Sequence, residues 1–338
     1  MKIRVGTFNL FQFVEPPYSW YTKKEKFNQE QWVEKTTWIK NQIVKMDCDI
    51  IGFQEVFSRD ALESLVKELG FNYFETVDEA ILKKNTYIST TVAIASKYPI
   101  SNIQKVKVHF PSFKKHGFRG RFSFARVPIK ATIMLPNETE LLVYVGHLKS
   151  NRLNEFEYIF NKEHDLKYKK EMVKKSLEGT GLTSLQQRLC EASSLFFNIK
   201  KVKNKPVVLL CDFNDKEFSL TIDALSNHKY HDDKSKEDFL LHDASYQYKK
   251  PIHNPHPEAK EVKRKPTSYF LGRGNVLDYI FISNDFDKDN IDRVANVTDY
   301  HVFDEHLQKD RDGSLVQSDH AQVVCELSFF STNRPIFS

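Results

Sequence analysis

The chain is poor in cysteine. Its four thiols, Cys48, Cys190, Cys211 and Cys325, lie far apart and show no Cys-x-x-Cys spacing. That excludes a disulfide framework and a structural zinc cluster, and it predicts buried free thiols. Long apolar runs are missing too. None approaches the roughly 18 residues that mark a transmembrane helix, and mean hydropathy is −0.51. Met1-Lys2 leads directly into Ile3-Arg4-Val5-Gly6-Thr7-Phe8 with no apolar signal region, so a cytoplasmic protein is expected. No glycine-rich loop follows this first run. Asn9-Leu10-Phe11 stands there instead, which excludes the Rossmann and P-loop fingerprints. There is no internal repeat and no low-complexity tail. Neither sign of charge dominates: the net charge is +5 and the pI near 8.7, compatible with a polyanionic ligand without demanding one.

What is present is a chain of 338 residues, 40% hydrophobic, with 27 Phe and 14 Tyr to build a core. That length allows one large α/β domain or two small ones. Ile3–Asn9 reads as a first strand, and Phe11–Lys26 as a loop. From Glu30 to Met46, apolar residues at Trp32, Ile39, Ile43 and Met46 recur at helical spacing. Asp49–Phe53 reads as a short strand, and Ser58 as the N-cap of a helix ending at Gly70. Further strands are expected near 73–77, 91–96 and 103–110. A basic loop at Phe113–Arg121 follows, then a hairpin from Phe124–Leu135 and Leu141–His147. Residues 154–181 read as a charged helical insertion, and Leu185–Ile199 as an amphipathic helix. Pro206–Cys211, Val276–Ile282 and Gln322–Phe329 read as late strands, and Lys249–Lys265 as a surface loop. Strand-rich runs with hairpins and few β-α-β units predict mixed sheets with outer helices.

Six short polar motifs punctuate these runs: Thr7–Asn9, Gln54–Glu55, Gly146–Ser150, Asp212–Asn214, Leu277–Phe281 and Ser318–His320. They extend over nearly the whole chain, so a single domain, 1–338, is expected. Most follow β-rich runs, which points to one site assembled from many strand ends. Oxygen ligands combined with histidines suit a hard divalent cation and phosphate chemistry. Asp212 and Asn214 alternate, so in a strand their side chains share a face.

In this order the motifs resemble the endonuclease/exonuclease/phosphatase superfamily, over roughly residues 3–328. The resemblance implies a four-layer α/β sandwich: two packed mixed β-sheets flanked by helices. It also implies roles. Glu55, with Asn9 and Asp319 beside it, would hold Mg²⁺, with Mn²⁺ or Ca²⁺ as substitutes. Asp212 would be the general base for an attacking water, and Asn214 would orient the phosphate or the water. Asp278 would orient His320 toward the scissile phosphate, and His147 would contact a non-bridging oxygen. Arg126, in Ala125-Arg126-Val127-Pro128, would meet substrate phosphate. Lys149, Arg121 and Tyr269 are weaker substrate-binding candidates, with Arg119 and Arg273 on neighbouring loops. Cys211 departs from the family pattern, which has Gly before Asp-Phe-Asn; a thiol there should fit a strand, but it could crowd the backbone near the metal.

The implied reaction is metal-dependent hydrolysis of a phosphate ester. A nuclease-type phosphodiesterase acting on nucleic acid is the first reading, on the paired histidines, Arg126, the basic loop and the positive balance. A phosphatase or phospholipase C-type enzyme on inositol phosphates or sphingomyelin is the alternative. It lacks the inositol-phosphatase signature here, and no apolar hairpin stands out as a membrane anchor. A non-catalytic binding module is the third reading. No protein partner can be inferred.

Overall fold

The structure is a computed structural model, and it describes residues 1–118, 122–150, 160–177, 184–231, 239–248, 264–270, 272–307 and 315–330. Its strands gather into two six-stranded sheets. The first runs, in spatial order, β16 (Ala295–Phe303), β17 (Gln322–Phe329), β1 (Lys2–Phe13), β3 (Ile50–Val56), β7 (Thr91–Ser96) and β4 (Tyr73–Glu75). The second runs β12 (His242–Asp243), β15 (Asp278–Ile282), β11 (Val207–Asp212), β10 (Glu140–His147), β9 (Ile129–Met134) and β8 (Ile100–Lys105). Each sheet has one parallel pair at its centre, β1 with β3 and β10 with β11. The neighbouring pairings are antiparallel. A central parallel pair is covered on both faces, which is why its strands are continuously apolar. All six residues of β11 are buried.

The alternation of side chains across each strand separates three cores. Val5, Ile50 and Ile94 of the first sheet meet Val143, Val145, Val208, Leu210 and Ile280 of the second between the sheets. Phe8, Ile51 and Phe53 point the other way, onto α1 (Gln29–Met46) and α2 (Arg59–Glu68). Leu142, Tyr144, Leu209 and Cys211 point outward under α4 (Leu166–Leu177), α5 (Ser184–Lys200) and α6 (Leu220–Ser226). The result is helices, sheet, sheet, helices: a four-layer sandwich of two packed mixed sheets, as expected. The remaining elements are α3 (Phe110–Lys115), α7 (Ala244–Gln247), the small sheet β2 (Ser19–Trp20)–β6 (Thr86–Tyr87)–β5 (Leu82–Lys83), and the hairpin β13 (Ser268–Phe270)–β14 (Arg273–Asn275).

Several local expectations need correction. β1 does not stop at Asn9. It continues to Phe13 through a register shift, with Phe11 and Gln12 in left-handed backbone at φ 51° and 59°. Ser58 is the N-cap of α2 by position, as expected, but its side chain makes no capping bond; its hydroxyl accepts from Glu15 N at 2.8 Å. The better cap is Asn28, which forms a capping box with Gln31 and starts α1. The basic stretch expected as a loop begins as α3, with Pro111 in the first turn. The expected insertion at 154–181 is described in part, and its central portion is helical as α4. The loop expected at 249–265 lies almost entirely outside the described residues.

All four cysteines are free and buried. Cys211 is accommodated by its neighbour across the parallel pair, Gly146. A Cβ added to Gly146 would lie 2.8 Å from Cys211 Sγ. The thiol therefore occupies space that a glycine on the adjacent strand leaves open. We expect Gly146→Ala to lower unfolding free energy by about 1–3 kcal/mol through overpacking, with partial recovery when Cys211→Ala is added. Equal denaturant midpoints for Gly146→Ala and wild type would refute this packing account.

Candidate active site

The topology places the polar motifs. Asn9 and Glu55 lie toward the carboxyl ends of β1 and β3, and His147 and Asp212 end β10 and β11. Because β15 runs antiparallel to β11, its first residue, Asp278, pairs with Asp212. Because β17 runs antiparallel to β1, the residues just before it, Ser318–His320, come back past Asn9. The Ser318 hydroxyl donates to the Asn9 carbonyl at 2.7 Å and accepts from His320 N at 3.0 Å. The Thr267 hydroxyl accepts from Asp278 N at 3.1 Å. Its carbonyl accepts from Ala321 N at 2.7 Å.

Asp212 is the hub. Its Oδ2 accepts from Asn9 Nδ2 at 2.9 Å, and its Oδ1 accepts from Asn214 N at 2.8 Å. Asn214 Nδ2 lies 3.4 Å from the same Oδ2, and His147 Nε2 also stands 3.4 Å from it. Burial pushes the Asp212 pKa up to about 7 against the charge of His320. Asn214 is in left-handed backbone at φ 51°, a conformation asparagine tolerates better than most residues. That turn aims its amide back at Asp212 and at the Leu148 carbonyl, 3.2 Å away.

The two histidines sit in opposite environments. His320 Nδ1 is 2.8 Å from Asp278 Oδ2. Burial opposes its charge, but Asp278, Asp212 and Asp319 outweigh it and hold His320 well above the ordinary imidazole range. His147 is driven well below that range by burial, then by Arg126 and His320. Its buried Nδ1 has no hydrogen-bond partner among the described residues.

Glu55, with left-handed φ of 58°, accepts from Gln12 N at 2.8 Å. Burial, then the charge of Asp319, raises its pKa. Burial raises Asp319 as well, and its buried Oδ1, 3.9 Å from His320 Nε2, has no hydrogen-bond partner among the described residues. Two such carboxylates, one with an orphaned oxygen, are a donor set that fits a hard divalent cation. Asn9 is placed beside Asp212, where both ends of its amide have protein partners, its oxygen accepting from Phe11 N at 3.0 Å. Asp212, Asp278 and His320 also offer ligand atoms within 4.8 Å of one another. Within that trio the His320 imidazole is already hydrogen-bonded to Asp278, which suits it less to a cation than a pair of carboxylates such as Glu55 and Asp319.

Arg126 Nη1 donates to the Leu148 carbonyl at 3.0 Å, and its Nη2 lies 3.4 Å from the Ser150 hydroxyl. The turn after β10 thus brings Arg126, Leu148 and Lys149 together. Tyr269 lies on β13, next to Ser268, which bridges to His320. Arg121 and Arg119 fall outside the described residues. Two neighbours escaped the sequence reading. Lys35, 0% exposed on α1, donates to the Leu315 carbonyl at 3.1 Å. Burial lowers its pKa to about 7, against the opposing charges of Glu55 and Asp319. A lysine in phase with the apolar face of a helix was the available signal. Tyr21 interacts with Arg126, and burial followed by the charge of Glu55 raises its phenol. It comes from a stretch without any periodic pattern.

Fold and site together define a protein of the phosphoesterase type, and the comparisons agree. The sequence model described as the Endonuclease/Exonuclease/phosphatase family matches residues 6–320. The chain belongs to that family, whose members are phosphoesterase hydrolases. No curated protein matches it. Among solved structures, the human Nocturnin catalytic domain with bound sulfate is 16% identical, with a TM-score of 0.57, covering 97% of this chain and 94% of that one. A mannosyl-6-phosphatase of Bacteroides thetaiotaomicron is 16% identical, TM-score 0.54, covering 97% and 100%. A humanised D. rerio TDP2 is 12% identical, TM-score 0.54, covering 97% and 99%. Likeness at these identities establishes the fold. No helix among the described residues is long and apolar enough to cross a membrane.

The charge on His320 is testable directly. By NMR titration, His320 should stay protonated above neutral pH in the wild type. In Asp278→Asn the main source of that stabilisation is gone while burial remains, so its pKa should fall. An unchanged titration would rule out Asp278 as the cause.

Proposed function

We propose that this chain is a divalent-metal-dependent phosphodiesterase of nuclease type, acting by in-line attack of water. The observation that carries this reading is the Asp212 carboxylate. It is buried, held at both oxygens by Asn9 and Asn214, pushed up to about 7, and flanked by one neutral and one charged histidine. A base with a pKa near the working pH, fixed in one orientation, is suited to take a proton from water.

In this reading Asp212 aligns and deprotonates the water. Asn9 and Asn214 keep its carboxylate from rotating. His320, charged by virtue of Asp278, stabilises negative charge growing on the phosphate oxygens. Neutral His147 and the Arg126 guanidinium contact the non-bridging oxygens, and Lys149 and Tyr269 line the approach. Glu55 and Asp319 would hold a Mg²⁺-class ion, which when bound neutralises phosphate charge and assists the leaving oxygen. The contributing residues run from Asn9 to His320, which favours one catalytic domain. The paired histidines, Arg126 and the positive balance of the chain favour a diester polyanion. A nucleic acid is the substrate class we favour.

The test is cleavage of labelled single- and double-stranded DNA and RNA with Mg²⁺. Asp212→Asn should lose about 10²–10⁴-fold in turnover, with an unchanged melting temperature. Glu55→Gln should lose activity together with calorimetric Mg²⁺ or Mn²⁺ binding. Near-normal turnover in either variant removes the mechanism. Turnover of phosphomonoesters alone would replace the nuclease reading with a phosphatase one.

A further inference from the structure

Helix α5 carries two charged residues one turn apart, Arg188 and Glu191, each only 1% exposed. Neither has a part in the chemistry above. Both grip the backbone of the same residue, Lys149. Glu191 Oε2 accepts from Lys149 N at 2.7 Å, and Arg188 Nη1 donates to the Lys149 carbonyl at 3.3 Å. Arg188 also reaches Asp215 Oδ2 at 3.4 Å, just beyond Asn214. The other oxygen of Glu191, Oε1, accepts from Ala125 N at 2.7 Å and from Gln187 Nε2 at 3.1 Å.

One carboxylate therefore joins two separate segments. One is the residue before Arg126, and the other is the residue after Leu148. These same segments are linked again by Arg126 itself, whose guanidinium donates to the Leu148 carbonyl. Asn214 Nδ2 shares that carbonyl as its acceptor. Burying a carboxylate is costly unless its oxygens are fully used, and three N–H donors use them here. The arrangement is specific for an acceptor at both ends. A glutamine at this position would turn an NH₂ toward one of the two backbone N–H groups, because an amide has an acceptor at only one end.

We propose that Glu191 is a positioning residue for substrate recognition: by pinning Ala125 and Lys149 it holds the Arg126 guanidinium where a non-bridging phosphate oxygen is bound. The inference rests on the reading of Arg126 as a phosphate contact. Glu191 acts through Arg126 and does not touch the substrate. Its loss lets the Arg126 segment and the turn after β10 move apart, so the damage falls on binding more than on the chemical step.

The experiment is steady-state hydrolysis of bis(4-nitrophenyl) phosphate with Mg²⁺ by the full chain and by Arg126→Ala, Glu191→Gln and the double variant. Thermal melting of each checks the fold. Arg126→Ala should raise KM about tenfold with a smaller change in kcat. Glu191→Gln should raise KM about three- to tenfold, and the double variant should be no worse than Arg126→Ala, as expected for residues acting as a unit. A wild-type KM in Glu191→Gln, or KM increases that multiply in the double variant, overturns the inference while leaving Arg126 as a phosphate contact. A wild-type KM in Arg126→Ala overturns the reading of Arg126 and this inference with it. Should Glu191→Gln fail to fold, Glu191→Asp, which keeps the charge but is too short to span both segments, is judged by the same outcomes.

Discussion

A hydrogen bond from sheet to sheet sits at the heart of the site: Asn9 Nδ2 to Asp212 Oδ2, 2.9 Å, both groups buried. It exists because each sheet has a parallel pair at its centre and the carboxyl ends of the two pairs meet. Close packing of the sheets sets the distance. A Cβ on Gly52 of β3 would come within 3.0 Å of Leu210 and Val145 of the opposing sheet. Once β1 and β11 end together, their antiparallel partners must deliver residues to the same place, and these are Asp278 and His320. The site is thus a consequence of strand direction before it is a matter of loops.

Concentrating so many ionisable groups in a dry place has to be balanced locally. The His320–Asp278 contact stabilises a charged pair, although a buried pair can cost more in desolvation than it returns. Asp278 Oδ1 and Asp319 Oδ1 have no hydrogen-bond partner among the described residues, and Glu55 and Asp319 both have raised pKa values. These are destabilising features for a fold considered alone. So are the left-handed conformations of Glu55 and Asn214, each worth roughly 1–3 kcal/mol where the residue is not glycine. Such features occur elsewhere in the molecule too, but Glu55, Asn214, Asp278 and Asp319 bring several of them to one place, as expected of a site that binds charge. Lys35 provides partial compensation from the helical layer behind the carboxylates, held between the rings of Phe11 and Phe27 at 5.7 and 5.3 Å.

The legible part of the sequence was its strand ends. Apolar runs terminating in Glu55, His147 and Asp212 are local signals, and the structure has β-strands there. The sandwich followed from those motifs in order, since hydrophobic periodicity alone implies mixed sheets and outer helices without fixing which strands pair. Signals that depend on distant residues were lost. Ser58 has the composition of an N-cap, yet Glu15, far away in sequence, claims its hydroxyl. Phe11 and Gln12 lie in a polar, aromatic stretch where nothing local announces that β1 continues around a bulge. Lys35 and Glu191 are charged residues, a type expected in solvent even where, as for Lys35, the helical phase points inward. Tertiary partners bury them instead, and only the folded chain reveals those partners.

The histidines show how far residue type underdetermines role. His147 and His320 both follow strand-end motifs and both stand next to Asp212, yet one is held neutral and the other charged. The difference comes from the second nitrogen. His320 has Asp278 at Nδ1, a partner that rewards a proton. His147 is disfavoured as a cation first by burial; its Nδ1 has no hydrogen-bond partner among the described residues, and a second imidazolium would also repel Arg126 and His320 in a medium of low dielectric. The site thus limits its own positive charge. A phosphodiester brings one negative charge at the scissile phosphorus and develops a second as water attacks. A monoester arrives with two. On the proposed phosphodiesterase reading, a pocket that suppresses one of its available imidazolium charges and keeps the other would match the smaller starting charge.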